Sequence, residues 1–281
     1  MRTISCAIIA RIYETCGLVK SHRPRKRFGQ HFLRDQQVID RIVVAIDPRP
    51  GQHLVEIGPG EGVLTGPVLA RSGAIDVVEL DRDLAASLAE RLGAPEGLNI
   101  HQADALAFDF RRLATAGPLR VIGNLPYNIS TPLIFHLLDQ SDCITDMVFM
   151  LQKEVVDRLV AAPGSRQYGR LSVMAGFYCT MSHLFDVGPD AFDPPPKVDS
   201  AIIRMLPRTI TDADRALLPD LDLIVRTSFG QRRKTLRKSL GKLLDADQIE
   251  SVGINPTARP ETLGLEEFKN LARVWGGAGG R

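Results

Sequence analysis

Three short stretches, far apart in the chain, hold residue types suited to binding a nucleoside and placing a second base beside it. In Val55-Glu56-Ile57-Gly58-Pro59-Gly60-Glu61-Gly62, glycines permit a tight turn and close approach of the backbone to a ligand. The helical period that follows adds free helix-terminal amides. The dinucleotide pattern G-x-G-x-x-G would need glycine at Val63, and the carboxylates of Glu56 and Glu61 would crowd a pyrophosphate. A nucleoside without phosphates suits this loop better, and S-adenosylmethionine, with its sulfonium and ammonium charges, meets that description. Glu79 follows about 20 residues beyond Gly58, where an acid binds ribose hydroxyls in doubly wound folds. Asp104, after the next strand, can accept from an adenine amine.

The second stretch is Asn124-Leu125-Pro126-Tyr127. Its Asn side-chain oxygen and a main-chain carbonyl can both accept from an exocyclic amine, and Tyr127 offers a ring for stacking. An adenine amine is flat and weakly nucleophilic because its lone pair is delocalised into the ring. Two acceptors on its protons favour a pyramidal nitrogen whose lone pair can attack. The third stretch runs from Phe192 to Ser200, where Pro194, Pro195 and Pro196 make a stiff wall able to hold Phe192 over the other face of a flipped-out base. Lys197 there can meet a phosphate.

The elements that must position these residues alternate. His53–Ile57, Ile75–Leu80, Leu98–Gln102, Leu119–Asn124 and Ile144–Met150 read as strands; Val63–Arg71, Arg82–Leu92, Thr131–Leu138 and Lys153–Ala161 read as helices between them. Before them, Asp35 is a helix N-cap for Val38, Ile39, Ile42, Val43 and Ile46, which recur until Asp47-Pro48. Strand and helix in turn predict a doubly wound parallel sheet, an α/β Rossmann-like fold. Leu184–Val187 and Ser200–Leu206 are expected to close it as an antiparallel pair. From Asp212 to Leu244 the chain reads as helical and charged, so a boundary is placed near residue 208. The expected domains are a catalytic one over residues 23–208 and a small α-helical one over 209–281, after a mobile extension at 1–22.

Composition sets the outer limits. The 281 residues are 44% hydrophobic and 24% charged, a globular composition that excludes disordered and fibrous classes. The 4 cysteines form no C-x-x-C pair, so neither a disulfide framework, a zinc site nor any other metal is expected, and a reducing, cytoplasmic compartment fits. No apolar run approaches the roughly 20 residues that cross a bilayer. The start of the chain lacks the pattern of a secretory signal. Net charge is only +2, yet Lys20, Arg23, Arg25, Lys26, Arg27 and Arg34 fall in one acid-free stretch, and Arg226, Arg232, Arg233, Lys234, Arg237, Lys238 and Lys242 in another. Such local density is what a polyanion-facing surface requires.

Taken in order, Lys26–Leu33, Glu56–Gly60, Gly123–Ser130, Leu151–Val155, Tyr168–Ser172, Phe192–Ser200 and Gln231–Lys234 resemble the small-subunit ribosomal RNA adenine dimethyltransferases, the KsgA/RsmA family. The likeness runs from about residue 25 to 275. It implies a Rossmann-like S-adenosylmethionine-dependent enzyme that dimethylates N6 of two adjacent adenosines near the 3′ end of 16S ribosomal RNA in the small subunit; nothing in the sequence requires more than a monomer. By the same resemblance His31 and Leu33 cover the donor, with His standing where the family usually has Asn. Gly58, with Glu56 and Gly60 around it, falls at the donor's amino acid end, Glu79 at the ribose and Asp104 at the adenine. Asn124 with Pro126 falls at the junction of donor and acceptor, and Tyr127 and Phe192 match the base-stacking aromatics. Lys26, Arg27, Lys197, Arg232, Arg233, Lys234, Arg237 and Lys238 are expected to hold RNA, with Lys234, Lys238 and Lys242 recurring four apart on one helix. Two other readings remain: a large-subunit adenine methyltransferase of the antibiotic-resistance type, which shares the N-x-P-Y pocket, and a non-catalytic RNA-binding assembly factor. A nicotinamide-dependent oxidoreductase is disfavoured by the glycine spacing.

Overall fold

The computed structural model describes residues 31–277. The extension expected at 1–22, and with it Lys26 and Arg27, lies outside the described residues. The chain falls into two compact units, one built from the chain up to Val156 with Thr180–Pro207, the other from Asp157–Cys179 and the chain from Arg208 onward.

In the first unit, β1 (Phe32–Leu33) leads into α1 (Gln36–Ile46). Asp35 caps that helix by accepting from the amides of Gln37 and Val38 at 2.8 and 3.2 Å. Its apolar face, Ile39, Ile42, Val43 and Ile46, is buried. The helix stops at Asp47, which takes a left-handed conformation with φ 51° and donates its amide to Val43 O. Then follow β2 (His53–Ile57), α2 (Thr65–Ser72), β3 (Ile75–Glu79), α3 (Arg82–Arg91), β4 (Leu98–Gln102), β5 (Leu119–Asn124), α4 (Ser130–Leu138), β6 (Ile144–Gln152) and α5 (Lys153–Leu159).

The strands lie in the order β4-β3-β2-β5-β6, all parallel, continued by β9 (Ser200–Pro207) antiparallel to β6 and then by β7 (Cys179–Val187). Strand order reverses at β2, which pairs Val55 with Asp76 of β3 on one side and with Val121 of β5 on the other. Ligands in such sheets bind outside the carboxyl ends of the strands at the reversal, so the fold marks the ends of β2, β3 and β5. The central strands are apolar on both faces because helices cover both, and Leu54, Val55, Val77 and Val121 are fully buried.

A guanidinium stitches the opposite end of the sheet to α1. Arg120 of β5 holds Asp146 of β6 through both carboxylate oxygens, at 2.7 and 3.0 Å, and donates to Ile46 O and Asp47 O at the helix C-terminus. These two side chains are only 12% and 10% exposed, so removing one partner leaves a buried charge.

In the second unit, α6 (Arg170–Tyr178) packs with α7 (Asp212–Gly230), and Arg170 meets Asp222 at 2.9 Å. The segment 157–179 therefore belongs with the tail rather than with the residues before 208, as the sequence reading had it. Leu171, Val173, Met174, Ala175 and Phe177 of α6 are all buried, so the helix has no polar face and no readable period. The stretch Asp212–Leu244, expected to be helical, is helical in separate pieces. The chain turns after Gly230 and resumes as the single-turn α8 (Leu236–Ser239), held because Leu236 and Arg237 donate their amides to Ala258 O and Pro256 O. The remaining helices are α9 (Ala246–Glu250) and α10 (Leu265–Gly277).

Replacing Arg120 by Ala should lower the unfolding free energy by roughly 2 kcal/mol, because buried Asp146 keeps only Arg204, 3.9 Å away, and the end of α1 loses the two bonds that Arg120 donates to it. Urea titration checks this, and a loss below about 1 kcal/mol would show the pair to be ornamental.

Candidate active site

A cavity of about 500 Å³ opens at the carboxyl ends of β2, β3 and β5. Its first wall is the glycine loop after β2. Gly58, Gly60 and Gly62 have φ of 66°, 56° and 83°, values in the left-handed region that side chains resist. The loop is fastened to β3, since Gly58 donates to Val78 O at 2.9 Å and Gly60 donates to Glu79 Oε2 at 3.2 Å. Glu79 also accepts the Asp81 amide on Oε1 at 2.9 Å. Each carboxylate oxygen still has acceptor capacity for a hydroxyl.

Asn124 is brought to this loop by the residue before it. A Cβ at Gly123 would stand 2.6 Å from Ile57 O, so only glycine lets β5 lie so close to the end of β2. Beyond Asn124 the chain turns through Leu125, whose amide donates to Met150 O, and Pro126, whose carbonyl accepts from Ile129, into α4. Asn124, Pro126, Tyr127 and Asn128 all line the cavity. The Tyr127 phenol is 2.7 Å from Ser200 Oγ on β9, and burial holds its pKa above the ordinary value.

The remaining wall comes from the two-stranded pairing of β1 with β8 (Phe192–Asp193), in which Leu33 faces Phe192. His31, just before it, donates Nδ1–H to Pro194 O at 2.6 Å, and its ring lies 6.1 Å from that of Tyr127 at 28°. Phe192 lines the cavity but is 5% exposed and sits in the hydrophobic core, so it presents an edge of packed interior rather than a free ring.

Three carboxylates face this space, and each is handled differently. Glu56 is 2% exposed and accepts from Thr65 Oγ1 at 2.7 Å. Burial pushes its carboxyl up to about 7, the Thr65 hydroxyl opposing and the Glu79 charge adding. Glu61 is paired with Arg34 at 2.8 Å and with Arg91 at 3.4 Å. The negative crowding expected from Glu56 and Glu61 is therefore largely relieved, and charge alone does not exclude a phosphate from this loop. Among the described residues Glu79 has backbone amides, and no side chain, as its hydrogen-bond partners.

The structure thus gathers His31, Leu33, Glu56, Gly58, Gly60, Glu79, Asn124, Pro126, Tyr127 and Phe192 around one space. It does not bring in Asp104, which lines a separate depression with His101, Gln102 and Ala103 and caps its own turn by accepting from the Leu106 amide. Lys197 is exposed and away from the cavity lining. In the second unit, Arg232 is engaged: it meets Glu261 at 2.9 Å and donates to Arg166 O, so it locks a loop instead of offering a free charge. Arg233, Lys234, Arg237 and Lys238 are exposed, although Lys234, Lys238 and Lys242 do not share one helix. Thr65, Ser200 and Arg91 were given no role of their own from sequence, and Arg34 only a place in a basic stretch; their partners lie on other elements, and no local pattern announces them. Among the described residues no cluster of His, Cys, Asp or Glu is placed to hold a metal ion.

The profile of the family described as Ribosomal RNA adenine dimethylase matches residues 21–275. The chain belongs to that family. Ribosomal RNA small subunit methyltransferase A of Methylococcus capsulatus is 55% identical over 252 residues, covering 90% of this chain and 98% of that protein. The protein of the same name in Marinobacter nauticus is 53% identical, covering 89% and 91%. Among solved structures, a dimethyladenosine transferase from Plasmodium falciparum shares the fold, with TM-score 0.76, 24% identity and coverage of 89% and 98%. The 23S rRNA methyltransferase ErmE superposes with TM-score 0.70 at 26% identity, over 87% of this chain and 99% of its own. The doubly wound methyltransferase sheet expected from sequence is the fold that these structures share.

In this dimethylase the raised Glu56 carboxyl is a stability statement. Below about pH 4.5 the group is protonated folded and unfolded; as pH rises toward 7 the unfolded chain gives up its proton first, so this group's contribution falls until it levels off above about 7. Glu56→Gln should accordingly gain stability over the parent at pH 8, by roughly 1–3 kcal/mol, and match it near pH 4.5. Chemical denaturation at the two pH values checks this, and a difference independent of pH would contradict the buried-acid reading.

Proposed function

We propose that this chain transfers methyl groups from S-adenosylmethionine to N6 of two adjacent adenosines near the 3′ end of small-subunit ribosomal RNA, two per base. The observation that carries the reading is the shared cavity: Asn124, an acceptor suited to an adenine amine, stands in the same space as the glycine loop and Glu79, which suit a nucleoside donor. The relatives named for the small subunit are 53–55% identical over nearly their whole length, against 26% for the 23S enzyme, which favours the small subunit as target. A complete pocket also favours catalysis over a purely structural assembly factor, although one protein can do both.

The residues would divide the work as follows. The Glu79 carboxylate accepts from the ribose hydroxyls while its backbone bonds keep it aimed, and the Gly58–Gly60 turn lets main chain approach the donor's amino acid end. Leu33 and His31 cover the donor. Asn124 Oδ1 and a main-chain carbonyl accept from the two N6 protons, with Pro126 keeping that turn stiff. Tyr127 stacks on the flipped base, and Phe192 supplies an apolar edge opposite. When bound, S-adenosylmethionine supplies a sulfonium-activated carbon: the N6 lone pair forms the C–N bond as the C–S bond breaks, sulfur keeping that pair of electrons. A proton then leaves N6 to water. Most of the acceleration in such a displacement comes from alignment and exclusion of solvent. Asp104, the third acid of the series, would accept from the donor's adenine amine.

The proposed partner is the small subunit and its RNA, met by a monomer in the cytoplasm. No described helix is long and apolar enough to cross a membrane. Arg233, Lys234, Arg237 and Lys238 supply exposed charge for phosphates, with Lys197 as a further contact.

Asn124→Ala should cut transfer by about 100-fold or more, as loss of one reaction-centred polar contact does elsewhere, with donor affinity within about threefold. Glu79→Ala should do the reverse first, weakening the donor by roughly 10- to 100-fold. Single-turnover rates and donor titration separate the two, and swapped effects would undo both assignments. Replacing Arg237 and Lys238 by Ala should weaken subunit binding and lower its salt slope by about 1 per charge, without changing donor affinity. A slope equal to the parent's would remove them from the RNA surface.

A further inference from the structure

Ser200 lies on β9, opposite Gln152 of β6, and is fully buried. It faces none of the cavity space. Its hydroxyl nevertheless sits 2.7 Å from the phenol of Tyr127, which arrives from the turn after β5, 73 residues earlier. A half-buried phenol needs a partner, and here a fully buried serine on a core strand supplies it, which ties the ring to the sheet. The ring is held at a second point as well. His31, whose imidazole lies 28° from parallel with it, is pinned by its bond to Pro194 O. One end of Tyr127 is therefore fixed by a hydrogen bond and one face by a fixed ring.

We propose that Ser200 is a positioning residue that sets the plane of Tyr127 and thereby decides whether the enzyme completes the second methylation of a base. This rests on the reading of Tyr127 as the ring on which the target stacks. The first transfer needs N6 with two protons near Asn124. The second must accommodate a methyl on the same nitrogen while the remaining proton keeps its acceptor and the lone pair still faces the incoming carbon. That leaves one hydrogen bond to orient the amine, so more of the orientation falls on the stacked ring. A ring free to tilt by a fraction of an ångström costs little when two bonds hold the nitrogen and more when one does. The bond to Ser200 anchors the phenol oxygen, the point of the ring farthest from its Cβ, and so limits the swing of the ring. The bond matches one hydroxyl proton to one hydroxyl acceptor, so the pair adds rigidity to the ring.

The test compares Ser200→Ala, Tyr127→Phe and the double variant with the parent on unmethylated small subunits, reading the ratio of N6-methyladenosine to N6,N6-dimethyladenosine over time. Ser200→Ala should slow the second methylation by about tenfold and the first by no more than about threefold, so that the monomethyl product accumulates, and Tyr127→Phe should lower the ratio of the second rate to the first to a similar extent. Donor affinity should stay within about twofold, because neither hydroxyl belongs to the donor's contacts. The double variant should be no worse than the singles, since both remove one bond, and its melting temperature should recover toward the parent as no partner is left stranded. Tyr127→Phe probes the same bond from the cavity side should β9 tolerate Ala poorly. Additive losses in the double, or a parental product ratio in either single, would overturn the positioning role. Tyr127→Ala separates this from the underlying reading: if it retains full transfer, stacking on Tyr127 fails; if it is inactive while Ser200→Ala makes the parental product ratio, only the Ser200 proposal fails.

Discussion

The site depends on a contact in which a side chain is forbidden. The carbonyl of Ile57 at the end of β2 occupies the place where a Cβ of residue 123 would be, so β5 can close on β2 only with glycine there. That contact lies at the reversal of strand order, where the two chain directions leave the sheet on opposite sides and open a crevice. It puts Gly58 and Asn124, 66 positions apart in number, at neighbouring strand ends facing one cavity. On the proposed reading, donor binding and acceptor binding are both consequences of this one backbone approach.

Around that crevice the protein must keep acids near a cationic ligand without letting them repel each other. It does so by giving each its own partner. Glu79 is spent on backbone amides, which aim it while leaving lone pairs free. Glu61 is drawn outward by Arg34 and Arg91, and in being so drawn ties the residues after β1 to the glycine loop. Glu56 is buried against Thr65 with its proton held more tightly than in water. Such an arrangement leaves Glu79 as the carboxylate best able to serve a sugar.

The framework was legible in the sequence because parallel strands covered on both faces are short, apolar and punctuated. His53–Ile57, Leu98–Gln102 and Leu119–Asn124 begin and end where their residue types say they should. Most of the cavity was legible too, since its residues stand at strand ends in a fixed order. What stayed hidden depends on where non-neighbouring elements meet. Helix α6 escaped because burial on every side erases the period that betrays a helix. The break after Gly230 is made by carbonyls of residues 256 and 258, which the local sequence does not contain. Arg232 looked like free charge until Glu261 was found beside it. Asp104 kept the right interval but turned its carboxylate to its own loop. Ser200 stood in plain view in a motif, and only the fold gives it Tyr127.

The central claim is that one cavity brings a donor methyl to the N6 of an extruded adenine of the small subunit. Nucleoside mass mapping, after reaction of labelled S-adenosylmethionine with subunits from a strain lacking the activity, addresses it directly. The account predicts label in N6,N6-dimethyladenosine at two adjacent positions near the 3′ end of the small-subunit RNA. Binding of subunits without incorporation, or label in large-subunit RNA instead, would contradict it.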